Sequence, residues 1–116
     1  MDINKRLFLF WKIGKYVCER QKYCENAVKK YSLFFSYYYG MSETFSRSNI
    51  SYMIRFYCSF PIYLFEFENL DFDHYKLLVN VNDMRSRYFY FRLAIFCRSS
   101  VNDLRFMIKN DVYNCI

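Results

Sequence analysis

The sequence predicts an all-α fold, a compact bundle of about six helices that contains a helix-turn-helix. Three observations predict it. Apolar residues recur at i, i+3, i+4 and i+7 through most of the chain. Helix-start residues (Ser46, Asp71, Asp83, Ser100) and helix stops (Gly40, Pro61) punctuate that pattern. The 116 residues show no internal repeat and no low-complexity linker, which fits a single domain over 1–116.

The elements follow in order. Residues 3–22 read as a first helix, with Leu7, Phe10, Trp11, Gly14, Val17 and Cys18 on one face. Lys5, Lys12, Lys15 and Lys22 fall largely on the other. Gly14 lies on the apolar stripe, so its expected use is close approach by a neighbouring helix, with Trp11 as the large anchor one turn earlier. Residues 24–38 form a second helix. Its inner face is Ala27, Val28, Tyr31, Phe34 and Phe35, continued by Tyr38, with Lys29 and Lys30 outside. Gly40 stops it and residues 41–45 turn the chain. Ser46 caps a third helix whose buried stripe is Ile50, Met53, Ile54 and Tyr57. Pro61 ends this helix, because the residue before a proline is pushed out of helical geometry.

Residues 62–70 alternate Tyr63, Phe65 and Phe67 with Leu64, Glu66 and Glu68. This resembles a short β segment near 62–67, which would make the arrangement winged-helix-like; an irregular connection is the alternative. Asp71 opens a helix carrying His74, Tyr75, Leu77, Leu78 and Val81. Asp83 caps the next, with Phe89, Tyr90, Leu93, Ala94, Phe96 and Cys97 inside. Ser100 and Asp103 form a capping box before a last helix with Val101, Leu104 and Ile108 inward.

Composition narrows the function classes. With 54% hydrophobic and 24% charged residues the chain is globular. Fourteen Phe and 13 Tyr stand against two Gly and one Pro, the usage that AT-rich coding produces, so aromatic clusters are discounted as functional signals. The net charge of +6 permits an anionic partner without requiring one. Five cysteines (18, 24, 58, 97, 115) show no CxxC pair, and with one histidine they assemble no zinc-type ligand set. No metal, cofactor or small-molecule substrate is expected, and the cysteines read as reduced thiols. Lys12 and Lys15 break the N-terminal apolar run, and no run approaches the ~18 residues that span a bilayer. A cytoplasmic location with no membrane partner is the expectation.

Three stretches carry a family resemblance: Trp11, Ile13 and Gly14; Phe45-Ser46-Arg47-x-Asn49-Ile50 with Met53, Arg55, Phe56 and Tyr57; and Leu70, His74, Tyr75, Leu77 and Leu78, running on through Asp83, Arg87, Phe89 and Tyr90 to Ser100, Val101 and Leu104. In these the chain resembles the N-terminal domain of the YhcG family, which precedes a PD-(D/E)xK nuclease domain. Arg55 falls two residues after Met53, where the family often has the arginine directly after, and Phe72 and Ser99 stand at family tryptophan positions. No Asp or Glu is followed two residues later by Lys, so the (D/E)-x-K element is absent and the chain is expected to lack the nuclease domain and catalysis.

The resemblance implies a winged-helix-like, DNA-binding accessory module, with a separately encoded nuclease subunit as a further partner. The alternative is a protein–protein interaction domain, or a truncated remnant of such a nuclease, with no DNA binding of its own. The candidate DNA face is Arg47, Ser48, Ser51 and Arg55, since a recognition helix presents its first turns to base edges and arginine pairs with guanine. Lys29 and Lys30 are candidate phosphate contacts. Trp11, Gly14, Phe45, Asn49, Met53, His74 and Tyr75 read as structural members of the motif. His74 lacks the nucleophile or metal partner that a catalytic base needs.

Overall fold

The computed structural model describes residues 3–20 and 25–115. Among them there are seven α-helices, one 3-10 segment and no strand. The helices are α1 (Ile3–Arg20), α2 (Glu25–Tyr39), α3 (Arg47–Ser59), α4 (Phe72–Leu78), α5 (Met84–Phe96), α6 (Val101–Lys109) and α7 (Val112–Cys115). The expected boundary near 22–24, with Lys22 and Cys24, lies outside the described residues, as does the side chain of Lys5. The chain divides into two compact units, Met1–Tyr63 and Leu64–Ile116.

In the first unit α1 packs on α3 at Gly14. A Cβ there would overlap the Met53 carbonyl and lie 3.1 Å from the Ile54 nitrogen, so the two helices meet backbone to backbone. Leu7, Phe10, Ile13 and Val17 of α1 and Ile50, Met53, Ile54 and Phe56 of α3 are buried around this point. Trp11 donates its indole N–H to the Phe60 carbonyl at 2.8 Å, just past the end of α3. Its ring stands edge-on to Tyr57, with centroids 5.5 Å apart.

The α2–α3 turn is held by Phe45. Gly40 supplies the left-handed residue (φ 67) that stops α2. The Phe45 ring is buried among Phe10, Phe35 and Tyr39, and its carbonyl accepts the Ser32 hydroxyl at 2.6 Å. Ser46 caps α3 by accepting the Asn49 N–H at 3.2 Å. The Asn49 amide reaches back to the Thr44 carbonyl at 3.0 Å and the Glu43 carbonyl at 3.3 Å.

The second unit is built around Phe67, Tyr75, Leu78, Phe91, Ala94 and Leu104. Phe67 sits 5.2 Å from Phe91 and 5.6 Å from Tyr75, centroid to centroid, and its carbonyl accepts the Tyr75 hydroxyl at 2.6 Å. Asp83 accepts both the N–H and the hydroxyl of Ser86 (2.9 and 2.7 Å), capping α5. Those bonds stabilise the charged form, chiefly through the hydroxyl, and hold the Asp83 carboxyl below the usual carboxylate range. Ser100 and Asp103 exchange two 3.1 Å bonds at the start of α6, a complete capping box.

Three expectations are corrected. The β segment near 62–67 is absent: Phe65–Asn69 is a 3-10 helix. Its working period is three, not two: Leu64 accepts from the Phe67 N–H and Phe67 from the Leu70 N–H, so Phe67 and Leu70 turn inward. Phe65 is left 85% exposed. In α2 the buried stripe runs through Ala27, Val28, Tyr31, Ser32 and Phe35, which leaves Phe34 55% and Tyr38 69% exposed. In α5 the core residues are Tyr90, Phe91 and Ala94, while Phe96 and Cys97 face solvent.

Gly14→Ala is expected to lower stability by about 3 kcal/mol, the upper end for overpacking a well-filled contact, because the obstacle is backbone and not a movable side chain. Urea unfolding followed by circular dichroism measures it; an unchanged midpoint would show that the helices separate freely.

Candidate nucleic-acid interface

The rotation of α3 is set by its buried stripe. With Ile50, Met53, Ile54 and Phe56 inward, Arg47 and Ser48 are exposed in the first turn. Ser51, Tyr52 and Arg55 continue the outer row and are half-buried. The Arg55 guanidinium lies over the Tyr52 ring, 5.4 Å from its centroid. The structure therefore brings Arg47, Ser48, Ser51 and Arg55 together on one face. Their position after a capped helix start puts Arg47 and Ser48 beside N–H groups of the first turn, where the dipole also favours negative charge.

Lys29 and Lys30 are exposed on α2, and Lys30 sits over the Tyr31 ring at 5.3 Å. They are not part of the α3 row. They lie in the early turns of α2, about 15 Å along the helix from the turn that Phe45 holds.

The charge distribution adds what position-by-position reading misses. Residues 1–63 carry ten Lys and Arg against four Asp and Glu, whereas residues 64–116 carry seven against seven. The whole excess of +6 belongs to the unit that holds α3. The signal was in the sequence, but it emerges only when the boundary after Tyr63 is known.

His74 is buried in the second unit. Its Nδ1 accepts the Asp71 backbone N–H at 3.1 Å, and its Nε2 lies 2.9 Å from the Ser99 carbonyl oxygen. A backbone N–H only donates and a carbonyl only accepts, so the fitting form is the neutral ring with its proton on Nε2. Both nitrogens are thus engaged by backbone, joining the start of α4 to the segment ahead of α6. Among the described residues no group of three or more His, Cys, Asp or Glu is placed to hold a metal ion. No helix among them is long and apolar enough to cross a membrane.

The family follows from the whole-chain match. The chain belongs to the DUF1016 N-terminal domain family. Its family model matches residues 1–115. No curated protein and no solved structure matches the chain. Within this DUF1016 N-terminal domain, the residues of the second sequence stretch divide cleanly by geometry. Phe45, Ser46, Asn49, Ile50 and Met53 hold the turn and the α1 contact, while Arg47 points outward.

One thiol pair stands out beside the α1–α3 contact. Cys18 and Cys58 approach to 3.9 Å between sulfurs. Burial of its sulfur, and then the adjacent Cys18 sulfur, push the Cys58 thiol up to about 11.

Two outcomes are expected. His74→Phe strands the Asp71 N–H and the Ser99 carbonyl and should cost about 2–4 kcal/mol in urea unfolding; a loss under ~0.5 kcal/mol would remove the tie from the fold's essentials. Since the neutral thiol is the unreactive form, Cys58 in the folded protein should resist iodoacetamide at pH 7.5 and gain reactivity as pH rises toward 11. Peptide mass spectrometry reads this, with urea-unfolded protein as the reference in which the same cysteine reacts with an ordinary thiol profile.

Proposed function

We propose that this DUF1016 N-terminal domain is a DNA-binding accessory module, non-catalytic by itself, that docks the outer face of α3 on duplex DNA. In this reading α2, the Gly40–Phe45 turn and α3 act as a helix-turn-helix. Arg47 and Ser48 reach base edges, Ser51 and Arg55 follow the adjoining backbone, and Lys29 and Lys30 add phosphate contacts. The two units act as one domain, since the family match runs across both. A nuclease subunit on a separate chain is the partner that such a module would position.

The observation that carries the proposal is the coincidence of two things in one unit. The outward α3 row bears both arginines of that helix, and the same unit holds all of the net positive charge. Non-specific affinity for DNA comes from neutralised phosphates, so the unit with the charge is the one that should bind.

Fluorescence anisotropy with a labelled duplex across a salt series tests it. Wild-type affinity should fall steeply with salt, and Arg47→Ala/Arg55→Ala should weaken binding about tenfold or more with a shallower salt slope. Binding indifferent to the double substitution would move the duplex contact off α3. No binding at low salt would favour the interaction-domain reading.

A further inference from the structure

We propose a second site on the first unit: a groove between α1 and α2 that binds single-stranded DNA by stacking unpaired bases on aromatic rings. It uses none of the residues assigned to α3. It rests on the reading above only for the choice of DNA over RNA.

The rings that the helical periodicity places in the core, but the structure leaves outside, are its floor. Phe34 and Tyr38 lie one turn apart on α2 with centroids 6.1 Å apart and planes within 14° of parallel, a two-ring platform open to solvent. Tyr16 of α1 faces the same groove, which Lys12, Ile13 and Phe35 also line. Its volume is about 420 Å³, within the range of sites that hold small organic ligands. A second depression of about 380 Å³ lies along α1 between Phe8, Trp11, Lys15 and Glu19, and it shares Lys12 and Tyr16 with the first. The two border each other on α1 at Lys12 and Tyr16.

Cations run beside the rings. Lys12 sits 5.3 Å from the Phe8 centroid, Lys15 5.5 Å from Trp11, and Arg20 4.9 Å from Tyr16. A row of rings interleaved with lysines and an arginine matches a strand whose bases stack while its phosphates pass between positive charges. Every base has a stacking face, so the site should tolerate any sequence.

Charge complementarity separates this occupant from the others. A second copy seated on the groove would bring a positive track against itself, with Glu19 as the one acid lining it among the described residues. A lipid surface takes apolar side chains from a protruding face, whereas these rings line a depression that Lys12 also borders.

The test uses the full chain with labelled dT20, the same-length abasic deoxyribose-phosphate oligomer and a duplex, in anisotropy at low and moderate salt. Phe34→Ala/Tyr38→Ala removes exposed rings and should leave the circular dichroism spectrum unchanged. We expect dT20 to bind at least tenfold tighter than the abasic oligomer. The ring variant should lose at least tenfold on dT20 and stay within about twofold on duplex. Arg47→Ala/Arg55→Ala should do the reverse. Equal affinity for dT20 and the abasic oligomer, no binding of dT20, or dT20 binding untouched by the ring variant would each overturn the site. So would a concentration-dependent dimer in sedimentation, or binding to anionic vesicles in place of dT20, that the ring variant abolishes. Loss of duplex binding alone would sink the α3 reading and leave this one standing.

Discussion

The close contact of α1 and α3 at Gly14 is the constraint on which the first unit depends. Because Gly14 presents only a hydrogen, the Met53 carbonyl occupies the space that any other residue would fill. That fixes the rotation of α3 about its own axis. Met53 must face α1, so Ile50, Ile54 and Phe56 turn inward with it, and Arg47, Ser48, Ser51 and Arg55 are left outside. The arginine face is thus a consequence of a missing side chain on a neighbouring helix. Trp11 completes the arrangement from one turn earlier. The Phe60 carbonyl lies just beyond the helix end, where carbonyls lose their intrahelical partners, and the indole N–H supplies one.

The turn ahead of α3 shows the same economy. Phe45 contributes a buried ring and a carbonyl acceptor, Ser46 a cap, and Asn49 an amide that clasps two carbonyls of the preceding loop. Each is a local solution to an unsatisfied backbone group or a chain reversal. Removing them from the motif as fold-keepers leaves Arg47 as the member with no such task in view. A charged residue at the start of α3 that faces solvent is the one whose purpose has to be sought outside the fold.

What could be read from the sequence follows the range of the forces involved. Helix ends were legible because caps act within four residues: Ser46, Asp83, Ser100 and Pro61 all mark boundaries that the structure places within a residue. The α3 face was legible at Ile50, Met53 and Ile54, where polar and apolar positions differ sharply, but Phe56 is buried in place of the expected Tyr57, which is half-buried. Faces built from aromatics were not. Where Phe34, Phe35, Tyr37, Tyr38 and Tyr39 crowd one helix, hydropathy cannot choose between neighbours, and the stripe went to Phe35 and Ser32. The same degeneracy hid the three-residue period of Leu64, Phe67 and Leu70 behind an apparent alternation. His74 was opaque for a different reason: its second partner, the Ser99 carbonyl, is 25 residues away.

Composition alone could place exposed rings anywhere, and the second unit shows that it does. Phe65, Phe96 and Phe106 are each more exposed than Phe34 of the first unit. If coding bias supplies aromatics to both halves alike, rings by themselves distinguish nothing. Charge does, because the second unit balances its seven basic residues with seven acids while the first does not. An uncompensated positive half repels itself and is tolerated at some expense in stability, which a fold of this size has little reason to accept without an anion to meet it. The interleaving of Lys12, Lys15 and Arg20 with Phe8, Trp11 and Tyr16 then separates the α1–α2 groove from the exposed rings of the neutral unit. Its rings lie in the unit that carries the charge, and the α1 rings Phe8, Trp11 and Tyr16 each have a cation close by.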